Sequence, residues 1–140
     1  MHRLLYVSST PQDFPHDELQ SILRQSRDNN HRRDVTGLLL YIDGGFLQVL
    51  EGDRTALHDL YALIAKDTRH WDAKVLLDEE APRNFGWWSM GFRAVRPETS
   101  EPGLAGITKE AVRGLIRSGG AKRILEILIQ TFQSVQGADL

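Results

Sequence analysis

The sequence contains no cysteine, which excludes disulfide bonds and thiolate metal sites. It has no apolar stretch near the ~20 residues that a helix needs to cross a bilayer, and its N-terminus lacks the long apolar run of a signal peptide. Neither charge sign predominates: 17 basic and 19 acidic residues give a formal net charge of -2, unlike the basic footprint of nucleic-acid binders. We therefore expect a cytoplasmic protein without membrane or nucleic-acid partners, and we predict no metal site.

The composition is that of one compact domain. The 140 residues are 41% hydrophobic and 26% charged, which is enough apolar material for a core and too much for a disordered chain. The segment 96–103 (RPETSEPG) has the Pro, Ser, Gly and charge content of a linker. The sequence thus predicts a body at residues 1–96, followed by a linker and helical extension at residues 97–140.

The hydrophobic pattern of the body predicts alternating strands and helices. The predicted strands are at 3–9, 35–42, 46–51, 73–77 and 87–95, and the predicted helices are at 17–30 and 54–66. Asp43-Gly44-Gly45 is a strong hairpin signal because tight turns favour residues that tolerate positive φ, and Asp53 is a candidate N-cap of the second helix. The order β-α-β-β-α-β plus one strand is that of a ferredoxin-like α+β sandwich with both helices on one face of the sheet.

The other face of the sheet also needs a cover, because several strands are apolar on both sides. Periodicity in the tail predicts helices at 107–117 and 121–133, separated at Ser118-Gly119-Gly120. One face of the second helix carries the stripe Ile124, Ile127, Leu128, Thr131 and Phe132. This stripe predicts packing on the back of the sheet or against a second subunit, and it favours a homo-oligomer, either a dimer or larger.

Polar side chains at positions where the pattern calls for apolar ones indicate a cleft. Gln48 shares a strand face with Phe46 and Leu50, so its amide points toward a core and needs partners there. Tyr6 lies on the first strand, where a neighbouring strand could bring its hydroxyl to that amide. Further residues face the same cleft from the helices: Ile22, Ser26, Asn29, Asn30, Leu60, Leu63 and Asp67. Apolar walls with convergent amides suit a planar heteroaromatic ligand with carbonyl and ring-nitrogen edges.

The same residues also have ordinary structural interpretations. Tyr6 alone is typical of a core tyrosine with a satisfied hydroxyl, and Gln48 alone fits a structural hydrogen bond as well as a ligand contact. Asn29-Asn30 alone is typical of a helix C-terminus, since Asn tolerates the left-handed conformation found there. By themselves the residues indicate a small ligand-binding ferredoxin-like domain.

Six segments in order match the motifs of one known family. They are RLLYVSS (3–9), SRDNN (26–30), VTGLLLY (35–41), FLQVLEG (46–52), DTRH (67–70) and FGWWSMGF (85–92). Together, over roughly residues 2–95, they resemble the BLUF family, the sensors of blue light using flavin, and the tail is similar to that of its short, single-domain members. The resemblance implies a blue-light photoreceptor that binds a flavin non-covalently between its two helices and signals to a downstream protein effector. FAD is the preferred flavin, with FMN or riboflavin as alternatives.

The resemblance also implies roles for individual residues. Tyr6 matches the redox-active tyrosine and Gln48 the switching glutamine, while Trp88 and Met90 match a segment whose position relative to the glutamine varies among members. In the implied scheme, light excites the flavin, Tyr6 supplies an electron and then a proton by way of Gln48, and the radical pair recombines with the Gln48 amide rearranged. The absence of cysteine agrees, because it removes chemistry in which a sulfur adds to the flavin. The pattern places Trp88, Met90 and Phe92 on one face of the last strand.

The implied flavin-binding set is drawn from the same segments. It comprises Tyr6, Ile22, Ser26, Asn29, Asn30, Phe46, Gln48, Leu63, Asp67, Arg69 and His70. By resemblance, Asn30 hydrogen-bonds the pyrimidine edge with Asn29 beside it, and residues 67–70 lie at the polar edge or along the ribityl-phosphate tail. Leu63 departs from the family, in which many members carry a basic residue that meets the second flavin carbonyl. Lys66, Arg69 or a water would take that role here.

Two other functions stay open beside the photoreceptor. One is a light-insensitive regulatory domain that binds a small ligand on the same scaffold. The other is a small hydrolase of the acylphosphatase kind, which shares the order of elements. Residues 8–15 offer neither its anion-cradling loop nor its catalytic arginine, so we expect no enzyme.

Overall fold

A computed structural model describes residues 1–42, 44–86, 88–95 and 107–132 of the chain. The elements are β1 (His2–Ser9), α1 (His16–Arg32), β2 (Thr36–Ile42), β3 (Gly45–Gly52), α2 (Arg54–Lys66), β4 (Trp71–Glu80), β5 (Gly91–Val95), α3 (Lys109–Arg117) and α4 (Ala121–Phe132). The predicted linker and the domain boundary after residue 96 lie outside the described residues. Over the ranges that are described, no helix combines the length and apolarity that a membrane span requires.

The strands form one sheet in the order β4-β1-β3-β2-β5. The β1 strand pairs antiparallel with β3 and β4, β2 pairs antiparallel with β3, and β5 lies parallel to β2 at the edge. This arrangement confirms the predicted ferredoxin-like sandwich. In the β2–β3 hairpin, Ile42 pairs with Gly45, and Gly44 adopts a φ of 84°, which glycine reaches without steric cost.

Some predicted element boundaries are confirmed and others are wrong. The second helix begins at Arg54 as predicted, and the Asp53 carboxylate accepts hydrogen bonds from the backbone N–H groups of Thr55 and Ala56. The β4 strand has ten residues, twice the five predicted. The prediction was too short because β4 is an edge strand and much of its length is polar and exposed, so the hydrophobic pattern marks only part of it. The strand predicted from residue 87 begins only at Gly91. The backbone N–H of Trp88 donates to the Phe85 carbonyl oxygen at 3.3 Å, which closes a turn before the chain becomes extended.

Alternation along the strands divides the core into two layers. One layer, the helix face, contains Leu4, Tyr6, Phe46 and Leu50 and is covered by α1 and α2. The other layer, the back face, is covered by the tail helices, and α4 contributes Ile124, Leu125, Leu128 and Phe132. Of the predicted stripe, Ile124, Leu128 and Phe132 are in this core, so the tail helix packs on the sheet, the first of the two predicted alternatives. Since this surface is already covered within the chain, oligomer formation stays a prediction.

Candidate functional site

A cleft opens on the helix face between α1 and α2, above β1 and β3. Its volume is about 100 Å³. Every residue of the predicted flavin-binding set except Asn30 lines it, together with four others that the set did not include. The lining residues are Tyr6, Ile22, Gln25, Ser26, Asn29, Leu39, Phe46, Gln48, Leu60, Leu63, Ile64, Asp67, Arg69 and His70.

Tyr6 and Gln48 form a buried hydrogen-bonded pair at the floor of the cleft. They lie directly opposite each other in the antiparallel β1–β3 ladder, and the Tyr6 hydroxyl donates to Gln48 Oε1. Burial, with smaller effects from Tyr61 and Asp67, raises the pKa of Tyr6 above its ordinary value, so the hydroxyl keeps its proton. The Tyr61 ring packs edge-on against Tyr6, with ring centroids 5.4 Å apart. The prediction that a neighbouring strand brings the Tyr6 hydroxyl to the Gln48 amide is confirmed.

The other end of the Gln48 amide contacts a sulfur. Gln48 Nε2 donates to Met90 Sδ at 3.3 Å, so the amide bridges a strong donor and a weak acceptor. The oxygen and nitrogen ends of an amide have nearly the same shape, so a half-turn exchanges donor for acceptor at constant volume. The Tyr6 hydroxyl can donate or accept and so can pair with either end of the amide, whereas the Met90 sulfur only accepts and so favours the orientation described here.

Met90 and Trp88 lie on opposite faces of the sheet, so the prediction that they share one face is wrong. Met90 belongs to the helix-face core, whereas Trp88 packs with the α4 side chains of the back face. The reason is that residues 88–90 do not form a regular strand. Two hydrogen bonds fasten the end of this loop to α1: Arg27 Nε to the Met90 carbonyl oxygen at 3.1 Å, and Asn30 Nδ2 to the Ser89 carbonyl oxygen at 2.5 Å.

The two asparagines at the end of α1 face different surroundings. Asn30 is 1% exposed and directs its amide toward the loop before β5, whereas Asn29 lines the cleft. Successive helical residues are rotated by about 100°, which separates the two side chains. Asn29 Oδ1 accepts from Arg32 Nη2 at 2.9 Å. Of the two asparagines, Asn29 is therefore the one placed to contact a ligand in the cleft. The hydrogen bond of Asn30 to a pyrimidine edge stays a prediction.

A polar bridge closes the mouth of the cleft. Arg69 Nη2 donates to Gln25 Oε1 at 2.7 Å and to Asp67 Oδ2 at 2.5 Å. The guanidinium holds the pKa of the Asp67 carboxyl below its usual value. Leu63 lines the cleft while 50% exposed, and Lys66 is exposed beside it. Of the two basic residues proposed to compensate for Leu63, Arg69 is the one that lines the cleft.

His70 forms part of the wall of the cleft, and both of its ring nitrogens are hydrogen-bonded within the protein. Its Nε2 lies 2.6 Å from the Ile64 carbonyl oxygen, so this nitrogen carries a proton and donates. Its Nδ1 lies 2.7 Å from Ser8 Oγ and accepts from that hydroxyl. The ring packs 6.0 Å from Phe46 and 6.4 Å from Tyr6, measured between centroids. His70 thus ties the end of α2 to β1 and offers the cleft its ring surface.

Sequence reasoning missed three lining residues, Gln25, Leu39 and Ile64, and the first two follow simple spacing rules. Gln25 lies three residues after Ile22 and four before Asn29, which is the spacing of one helix face. Leu39 lies opposite Gln48 in the β2–β3 ladder and so shares its face. Helical and strand periodicity, applied throughout, would have identified both.

The polar atoms of the cleft belong to amide, hydroxyl, guanidinium and carboxylate groups set among leucines, two isoleucines and aromatic rings. This donor and acceptor set fits a heteroaromatic ring with carbonyl and N–H edges, which places the chain among small ligand-binding domains of ferredoxin-like fold. The family model described as "Sensors of blue-light using FAD" matches residues 1–91. The chain belongs to the BLUF family and is a blue-light sensor that uses a flavin.

Individual relatives agree with this assignment. The chain is 38% identical to a photoactivated adenylate cyclase subunit beta of Euglena longa over 69 residues, 49% of this chain and 8% of that protein. It is 34% identical to the blue light- and temperature-regulated antirepressor BluF of Escherichia coli (strain K12) over 84 residues, 59% of this chain and 21% of the relative. The dark-state structure of BlrB, a BLUF protein, matches with a TM-score of 0.74 and 27% identity, covering 96% of both chains. The chain thus spans a small part of these two curated relatives and nearly all of BlrB, and neither alternative function finds support.

Proposed function

We propose that the chain binds FAD in the cleft between α1 and α2 and reports light through Tyr6, Gln48 and Met90 to a protein partner. The observation that carries this proposal is the continuous chain of contacts from the Tyr6 hydroxyl through the Gln48 amide to the Met90 sulfur, directly beneath the cleft. The choice of FAD follows the description of the family.

The cleft supplies both kinds of contact that a flavin needs. Ile22, Leu60 and Leu63 offer apolar walls, and Ser26 and Asn29 offer polar atoms from α1. Ligand pockets commonly measure about 300–1,000 Å³, so the cleft must widen from about 100 Å³. The bond between Gln25 and Arg69 lies at the exposed mouth, and its opening would enlarge the cleft at little cost. The Arg69 donor released by Gln25 would then be available to a flavin carbonyl or phosphate, while Asp67 holds the guanidinium in place.

A bound flavin supplies absorption of blue light and acceptance of an electron. Tyr6 is placed to supply an electron and its hydroxyl proton, because that hydroxyl donates to Gln48 and keeps its proton in the dark. Gln48 would relay the proton, and once the electron and the proton have returned to Tyr6 its amide would remain turned. A turned amide presents a different hydrogen-bonding group to the ligand and to Met90, so the change reaches β5.

The loop before β5 links the switch to the surface. Met90 contacts Gln48, and Trp88, two residues earlier, packs against the core that α4 covers. A shift at Met90 would therefore bias the packing of α4 between two arrangements. The Escherichia coli relative is named an antirepressor, which supports a protein as the partner. We infer that the chain itself is not an enzyme and acts in the cytoplasm.

The visible absorption spectrum of the purified protein tests this function. We expect a flavin spectrum in the dark, a small red shift under blue light, and recovery in the dark. A protein that binds added flavin and shows no light-induced shift would overturn the proposed switch.

A second measurement identifies the flavin. Chromatography of the chromophore released by denaturation should yield FAD. Release of FMN or riboflavin alone, from protein loaded in the presence of all three, would overturn the choice of FAD and leave the switch intact.

A further inference from the structure

Three potential metal ligands meet away from the cleft, at the other end of α2. They are His2 at the start of β1, His58 in the second turn of α2, and Asp78 in β4. His2 Nε2 hydrogen-bonds Asp78 Oδ1, and His58 Nε2 lies 2.9 Å from Asp78 Oδ2. One carboxylate thus holds two imidazoles, one from the sheet and one from the helix.

The three ligand atoms are already close to the spacing of a metal site. They all lie within 4.8 Å of one another. In a tetrahedral zinc site with bonds of about 2.0–2.2 Å, neighbouring ligand atoms are about 3.4 Å apart. Small side-chain rotations therefore bring them to zinc spacing, and no backbone element has to move.

The chemistry of the set also suits a divalent transition metal. Two neutral imidazole nitrogens and one carboxylate oxygen are typical zinc ligands, and three protein ligands leave a fourth position for water. The His58 and Asp78 side chains are 40% and 38% exposed, which gives an ion a path from solvent.

Metal binding requires a defined change of protons. In the arrangement described, each Nε2 faces a carboxylate oxygen and donates its proton to that hydrogen bond. A metal ion takes the Nε2 lone pairs, so each neutral imidazole must carry its proton on Nδ1 instead. An imidazole that is protonated on both nitrogens loses one proton to solvent.

We propose that His2, His58 and Asp78 form a Zn²⁺ site that clamps α2 onto β1 and β4. The α2 helix also provides Leu60, Leu63 and Ile64 to the wall of the cleft, so the ion would fix one wall of that cleft from its far end. This site does not depend on the proposed FAD binding, because its residues lie outside the cleft.

Isothermal titration calorimetry of the full chain with ZnCl₂ tests the proposal. The titration is done in the dark, after a chelator has removed trace metal. We expect one Zn²⁺ per chain. The variants His58→Ala and Asp78→Asn should each weaken binding by more than about 100-fold, since even the loss of an outer hydrogen-bonding partner costs 10–100-fold. The matched controls His16→Ala and Asp59→Asn change exposed residues outside the cluster and should bind as the unmodified protein does.

Thermal unfolding of the same proteins provides the second readout. Zinc should raise the melting temperature of the unmodified chain and of both controls, and it should leave that of His58→Ala unchanged. Binding weaker than millimolar, or equal zinc stabilisation of His58→Ala, would overturn the site and show that the three residues form hydrogen bonds only. Neither outcome bears on flavin binding, which the absorption spectrum reports separately.

Discussion

The two faces of the sheet are built from the same strands and do different work. On the back face, alternate residues such as Leu5, Leu47 and Val49 are apolar and are covered by apolar residues of the tail helices. On the helix face, the same alternation places Tyr6 and Gln48 among leucines and phenylalanines. Burying apolar area stabilises the fold. A buried polar pair avoids lowering the free energy of unfolding only while all of its hydrogen bonds are made. The back face therefore holds the domain together, and the helix face holds a hydrogen-bond network that can change.

The loop before β5 connects the two faces, and the buried carboxylate of Glu51 holds this loop in place. Glu51 is 1% exposed and accepts hydrogen bonds from the backbone N–H groups of Asn84 at 2.6 Å and Phe85 at 2.8 Å. The hydroxyl of Thr36 donates to it at 3.2 Å. From this anchor the loop sends Trp88 to the back face and Met90 to the helix face. Substitutions on the back face, at Glu51 and at Met90 test this difference between the faces, and they are given in order of decreasing expected effect.

The largest effect is expected on the back face. Leu128→Ala removes a side chain that is 2% exposed within that core, and we expect a loss of about 2–5 kcal/mol in the free energy of unfolding. The matched change Leu63→Ala, at a cleft residue that is 50% exposed, should cost no more than about 0.5 kcal/mol. Urea denaturation measures both, and equal losses would contradict the division of labour between the faces.

The anchor is expected to show a dependence on pH. Burial raises the pKa of Glu51 above its ordinary value of 4.5, against the opposing hydrogen bonds from Asn84 and Phe85. A raised pKa means that the stabilising contribution of Glu51 is complete below the ordinary value and is lost as the pH rises through the raised value. Glu51→Gln does not titrate, and its amide nitrogen cannot accept, so the loss of one backbone hydrogen bond costs about 1–3 kcal/mol.

Urea denaturation of both proteins from about pH 4 to pH 7 isolates this residue, because every other carboxyl group is common to the pair. The advantage of the unmodified chain over Glu51→Gln should shrink as the pH rises. An advantage that grows with pH would show that the hydrogen bonds outweigh burial and would reverse our account of the anchor.

Met90 and Trp88 allow the finest comparison, since they lie two residues apart on opposite faces. Met90→Leu keeps the volume, at a cost typically below about 1.5 kcal/mol, and removes the acceptor of Gln48 Nε2. Because that acceptor favours the dark orientation of the amide, recovery in the dark should be slower. Trp88→Phe changes the back face alone and should recover at the unmodified rate, as followed by absorption after a light pulse. An equal change of the recovery rate in both variants would mean that the back face affects the switch as much as Met90 does.

The sequence was informative wherever one period ran through a whole element. The alternation in β1 and β3 predicted the Tyr6–Gln48 contact, and the stripe on α4 predicted a cover for the sheet. The second helix was predicted from its cap to its last residue, since Asp53 supplies a capping signal and the apolar spacing continues unbroken.

The loop before β5 shows where this reasoning fails. The aromatic and apolar content of residues 87–92 resembles a strand. The path of the backbone there is set instead by hydrogen bonds that Glu51 accepts and one that Asn30 donates, and both residues are distant in sequence. No local pattern encodes those bonds, so Trp88 was assigned to the wrong face. The cluster of His2, His58 and Asp78 escaped the sequence for the same reason, because its members meet only through the topology of the sheet.

The light-minus-dark absorption spectrum of Tyr6→Phe, loaded with flavin, tests the central claim most directly. This variant keeps the aromatic wall of the cleft and removes only the hydroxyl, at a cost of about 1–3 kcal/mol for the unpaired Gln48 oxygen. The flavin absorption in the dark shows that the cleft is still occupied. Our account predicts a bound flavin with no red shift under blue light, and a shift like that of the unmodified protein would contradict it.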